Sequence, residues 1–106
     1  IERKVGDYAA AAVACQLNID STGTIQNIGI GLTNVGSTPI RASTTEQLLK
    51  GKNPKDNMIE EAGRLSAADS EPMDDLRGSA EYKRALVDEL TQRAIKLSLQ
   101  RAEGSR

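Results

Sequence analysis

Apolar residues recur along this chain in two spacings, and the spacing changes near residue 42. From Ala9 to Ile19, Val13, Cys15, Leu17 and Ile19 alternate with Ala12, Ala14, Gln16 and Asn18. That is the period of a strand with one face buried. The four alanines at 9–12 favour helix by propensity, so two readings compete here, and the alternation is given the greater weight. A second run, Thr24–Thr33, alternates from Ile28 onward. Ile28, Ile30 and Leu32 share one face, and Gly29, Gly31 and Thr33 the other. Asp20-Ser21-Thr22-Gly23 lies between the runs and has turn chemistry, so the pair predicts an antiparallel hairpin. The alanines of the first strand and the glycines of the second form faces open to very close packing. Pro39-Ile40-Arg41-Ala42 predicts a short third strand at an edge, where a proline is tolerated.

Beyond residue 42 the period becomes helical. Ser43-Thr44-Thr45-Glu46 has the form of a capping box, with a hydroxyl at the N-cap and a carboxylate three residues on. Leu48 and Leu49 anchor the short helix it opens, and Gly51 closes it. Asn53-Pro54 predicts the next start, an N-cap followed by proline at the first helical position. Met58, Ile59, Ala62 and Leu65 mark the buried face of that helix, with Glu60 and Arg64 paired four apart on the wet side. Residues 69–78 form an acidic loop. Ser79 then caps the longest helix, whose stripe runs Tyr82, Leu86, Leu90, Ala94 and Leu97, flanked by Val87 and Ile95. Glu89 and Arg93 pair on its surface, and residues 103–106 fray. Strands first and helices after predict an α+β fold, a three-stranded antiparallel sheet (hairpin plus short edge strand) packed against three helices.

Composition narrows the chemistry. The 106 residues predict a single domain over 1–106. With no Phe, Trp or His, the core must come from Leu, Ile, Val and Ala. The lack of His removes the usual general base near neutral pH. One cysteine excludes an intrachain disulfide and a thiolate metal cluster, and Cys15 reads as a packed thiol. A net charge of −1 without a basic block argues against nucleic acid. No apolar run reaches transmembrane length, so no transmembrane segment and a soluble chain are expected. No nucleophile–base pair supports a free-standing hydrolase. Glu71, Asp74 and Asp75 read as solvated carboxylates, without calcium-loop spacing. Gly29-Ile30-Gly31 lies inside a strand and lacks the third glycine of a dinucleotide loop. Arg77-Gly78-Ser79 reads as a structural clamp more than an anion site. The opening Ile1-Glu2-Arg3-Lys4, without a Met, predicts a fragment of a longer chain.

Three segments carry a resemblance: Arg3-Lys4-Val5-Gly6-Asp7-Tyr8-Ala9, Ile30-Gly31-Leu32-Thr33-Asn34-Val35 with Thr38-Pro39, and Arg77-Gly78-Ser79-Ala80-Glu81-Tyr82-Lys83. In this order and spacing the chain resembles the C-terminal domain of the FAD-binding medium subunit of carbon monoxide dehydrogenase, among the xanthine-oxidase-type molybdenum hydroxylases. The resemblance implies three strands on a three-helix bundle and a role in electron transfer. Electrons pass from molybdopterin in a large subunit, through [2Fe-2S] clusters in a small subunit, to FAD and an external acceptor. It implies a cytoplasmic oxidoreductase part that is not catalytic as an isolated fragment. FAD is bound mainly by the N-terminal FAD-binding domain of the same chain. The partners implied are that domain, the molybdenum large subunit and the iron–sulfur small subunit. Tyr8 matches the family's aromatic that approaches the isoalloxazine, and Asp7 and Lys4 are weaker candidates for the pyrimidine side of the ring. The competing reading is a non-enzymatic protein-interaction module that uses the alanine face and the long helix.

Overall fold

The structure, a computed structural model, describes residues 3–5, 11–34, 39–70 and 79–104. The side chains of Arg3, Lys4, Val5 and Asn34 lie outside what it describes. In chain order the elements are β1 (Arg3–Val5), β2 (Ala11–Ile19), β3 (Ile25–Asn34), β4 (Ile40–Arg41), α1 (Ser43–Leu49), α2 (Asp56–Asp69) and α3 (Ala80–Gly104). The strands form one antiparallel sheet in the order β1-β2-β3-β4. The α+β class stands, with the hairpin, the short edge strand and the three helices. β1 is an addition on the other edge, paired through Arg3↔Cys15, Lys4↔Ala14 and Val5↔Val13. Two cations and a valine are too few to show an alternation, so nothing in residues 1–8 announced a strand.

The hairpin forms because its turn is closed by one side chain. Asp20 Oδ1 accepts the backbone N–H of Thr22 and of Thr24 at 2.9 and 3.0 Å, and Gly23 takes the positive φ of +86°. Beyond the turn, a register shift at Asn18/Ile19 adds twist, after which Leu17↔Ile28 through Ala11↔Asn34 run in step. Period-two burial follows. Ala11, Val13 and Cys15 with Ile30 and Leu32 are buried beneath the helices, whereas Gln16, Asn18, Asn27 and Thr33 are exposed.

The three helices depart from the sequence pattern in their details. α1 starts where expected, but its N-cap is Ala42, whose methyl group cannot accept a capping hydrogen bond, and the Glu46 carboxylate is used elsewhere. Leu49 is fully buried and Gly51 takes φ +80°, as a helix stop requires. α2 begins at Asp56 rather than after Asn53, whose Nδ2 donates to the Thr22 carbonyl of the hairpin turn. Its buried face is Ile59, Ala62, Gly63 and Ser66, with Met58 and Leu65 half-buried. Arg64 pairs with Glu61 at 2.8 Å instead of Glu60. Ser79 Oγ accepts the Tyr82 N–H at 3.0 Å, so the expected cap forms, and Arg93 pairs with Glu89 at 2.7 Å. The buried stripe of α3 is rotated from the expected one. It runs Lys83, Val87, Leu90, Thr91, Ala94, Ile95 and Ser98, and Tyr82 is 52% exposed. α3 lies along β2 and reaches β1, and Ser98 Oγ donates to the Cys15 carbonyl at 3.4 Å. α3 continues through Gly104, so residues 103–104 are helical, and 105–106 lie outside the described residues. The acidic loop and Arg77-Gly78 likewise lie outside them, apart from Asp69 and Ser70 at the end of α2.

Candidate functional site

Two regions have to be considered, one assigned from sequence and one that only the structure assembles. Lys4 stands in β1 opposite Ala14, with its side chain outside the described part. Asp7 and Tyr8 fall between β1 and β2, outside the described residues. Both ends of their connection are nevertheless fixed: Val5 pairs with Val13, and Ala11 pairs with Asn34. The structure therefore shows the frame of that segment and nothing of the three side chains. Among the described residues no group of three or more Cys, Asp or Glu could hold a metal ion. Gly29 and Gly31 sit in mid-strand with no helix opening after them, so they build no phosphate cradle. Nor do they serve a close contact within the domain, since a Cβ at either would meet nothing within 4 Å.

The second region is built on Glu46. Helix α1 presents it to the edge of β3, where β4 has already ended. The residue is only 7% exposed; its Oε2 accepts the Ile30 N–H at 2.8 Å. Arg41 Nε donates to both carboxylate oxygens, at 2.9 and 3.0 Å. Next to it the Ala42 N–H donates to the Ile30 carbonyl at 2.9 Å. Glu46 thus takes the place of a strand residue, closing the ladder where the short β4 cannot. A buried carboxylate is tolerable only when its lone pairs are filled by such donors. The Glu46 hydrogen bonds, and then its charge, raise the Arg41 pKa above its ordinary value. The capping-box spacing drew attention to Glu46 for a local reason, whereas its partners lie on other elements, out of reach of a local pattern.

Around this pair opens a groove of about 690 Å³, lined by Gln16, Asn18, Asn27, Arg41, Gln47 and Lys50 together with Leu17, Ile28, Gly29 and Glu46. Its walls are amides and cations around Leu17, Ile28 and Gly29, and among the described residues no Ser, Thr, Cys or His lines it. Cys15 is buried under the helices and is not part of this lining. Burial pushes its thiol from 9.0 up to about 11, against the lowering effect of the Ser98 hydrogen bond, and the Glu46 charge adds to the rise. At neutral pH it is an inert, protonated core residue.

Comparison with known proteins gives the family and the fold. The CO dehydrogenase flavoprotein C-terminal domain family matches residues 1–97. The chain is similar to the carbon monoxide dehydrogenase medium chain of Afipia carboxidovorans, 36% identical over 103 residues, covering 97% of this chain and 35% of that one. It is also similar to the glyceraldehyde dehydrogenase medium chain of Sulfolobus acidocaldarius, 31% identical over 96 residues, covering 91% of this chain and 34% of that one. The solved structure of carbon monoxide dehydrogenase from Hydrogenophaga pseudoflava superimposes with a TM-score of 0.83 at 34% identity, over 95% of this chain and 36% of that chain. The chain therefore spans about 35% of the length of the relatives it matches. A match over nearly all of its residues, to a fold its own alternation and helices build, makes this chain a member of the CO dehydrogenase flavoprotein C-terminal domain family.

Proposed function

We propose that this domain completes the flavin site of a molybdenum-hydroxylase medium subunit and takes part in its contacts with the molybdenum and iron–sulfur subunits. Family membership carries the reading, and the paired ends of the segment holding Asp7 and Tyr8 support it.

FAD, when bound, supplies the one- and two-electron chemistry that links iron–sulfur clusters to an external acceptor. The chain's own part is to orient and enclose. Tyr8 would lay its phenol over the isoalloxazine and exclude water, while Asp7 and Lys4 set charge and hydrogen bonds at the pyrimidine side. The described residues offer no cradle for a dinucleotide phosphate, so the domain alone holds FAD weakly and the remainder of the medium subunit does most of the binding. The relatives named above act on carbon monoxide and on glyceraldehyde. One such domain serving both fits a choice of substrate made in the molybdenum subunit, in a cytoplasmic enzyme.

The test is Tyr8→Ala in the full medium subunit. Loss of a stacking aromatic is expected to weaken FAD by about tenfold, roughly 1.4 kcal/mol, and to shift the flavin absorbance and reoxidation rate. Unchanged FAD content, spectrum and reoxidation would overturn the role of Tyr8.

A further inference from the structure

Among the described residues, the outer edge of β3 carries one unfilled place. In an antiparallel ladder every second residue directs its N–H and C=O to the same side. Because Ile30 bonds toward β4, Ile28 and Leu32 point there too. Leu32 pairs with Ile40, and Ile30 is filled by Ala42 and Glu46. Past the register shift, Ile25 N–H donates to Lys52 O, and Ile25 O accepts from Gly51 N–H, both at 2.8 Å. Ile28 lies between these filled positions, half-buried in the groove, and no described residue pairs with it on that side. A half-buried backbone pair calls for a donor and an acceptor.

The charge around it has one sign. Glu46 is the only carboxylate among the described residues of the lining, and Arg41 Nε and Ile30 N–H already occupy it. The two terminal amino groups of Arg41 have no partner among the described residues. The grip of Glu46 on Nε fixes the plane of that fork. Lys50 stands on the same wall, and the exposed Lys52 and Lys55 follow it. Gly29, with open space above it, leaves room for a second backbone to approach.

We propose that this groove docks an extended acidic segment of a partner subunit. That segment adds one backbone pair at Ile28 and sets a carboxylate against the Arg41 fork and Lys50. The proposal rests on the assembly into a multi-subunit enzyme put forward above. Zero-length carbodiimide cross-linking of the assembled complex tests it, with amide exchange at Ile28 as a second measurement. Expected results are a Lys50 link to an Asp or Glu of another subunit and slower Ile28 exchange on assembly. Lys50→Glu should slow association about tenfold and abolish its salt dependence. Lys50 links confined to its own chain would overturn the proposal. So would a Lys50→Glu subunit that assembles like wild type with Ile28 exchanging at the free rate. A wild-type subunit that fails to assemble at all overturns the assembly reading, and this proposal with it.

Discussion

Glu46 shows how a single side chain takes the place of secondary structure. Ala42 ends the edge strand, so the Ile30 N–H loses its next backbone partner, and the carboxylate fills the vacancy at 2.8 Å. Glu46→Ala leaves that buried donor unsatisfied and is expected to cost about 2–3 kcal/mol. Glu46→Gln keeps an acceptor of the same reach and should cost about 1 kcal/mol; urea denaturation of the two variants measures the difference. Cys15 provides a second residue-scale prediction with a defined pH window. Its thiol titrates near 9.0 when unfolded and at about 11 when folded. Below pH 9 both states hold the proton, so burial leaves stability untouched. Between pH 9 and 11 the unfolded state loses its proton first, so stability falls as pH rises, by at most about 2–3 kcal/mol. Cys15→Ala should flatten that part of the pH–stability curve, and the folded wild type should resist thiol reagents at pH 8. The packed thiol was legible from the apolar run around Cys15. The partners of Glu46 were not, because Ile30 is sixteen residues away and its need arises only where β4 stops.

At the scale of elements, glycines separate positions set by contact from positions set by nothing inside the domain. Gly63 lies where α2 crosses α3: a Cβ there would meet Asp88 Oδ1, would stand 2.8 Å from the Asp88 carbonyl and would press on Gln92. Alanine is the better helix former by about 1 kcal/mol, yet the overpacking cost of about 1–3 kcal/mol is larger. Gly63→Ala is therefore expected to lower the thermal midpoint. In β3, Gly31→Ala meets open space and relieves the entropy cost of a strand glycine, so it should raise stability by about 0.5 kcal/mol. Calorimetry on the pair checks both signs. Strand identity in β2 and β3 was readable because period-two burial needs only neighbours in sequence. The start of α2 was misread, because Asn53 answers to the hairpin turn at Thr22. The stripe of α3 was misread by about one residue for a related reason. A long helix with alanines and leucines on several sides can offer more than one face, and the sheet selects the one beginning at Lys83.

For the whole molecule, one core cluster joins the sheet to the helices, from Ala11, Val13 and Cys15 through Leu49 and Ile59 to Leu90 and Ile95. A domain of this size holds a net stability of about 5–15 kcal/mol, and Leu90 is 1% exposed within it. Leu90→Ala should cost about 2–5 kcal/mol. The loss should appear as one cooperative transition at lower denaturant with an unchanged slope, in both circular dichroism and tyrosine fluorescence. The sequence by itself determined the α+β order, the hairpin and its turn, the buried thiol, the cap at Ser79 and the family. Each of these depends on residue spacing within a few positions or on short motifs in order. Only the tertiary structure decided the fourth strand, the face that α3 buries, the Glu46 bridge and the groove at Ile28. These arise where elements distant in sequence meet, so no local periodicity records them.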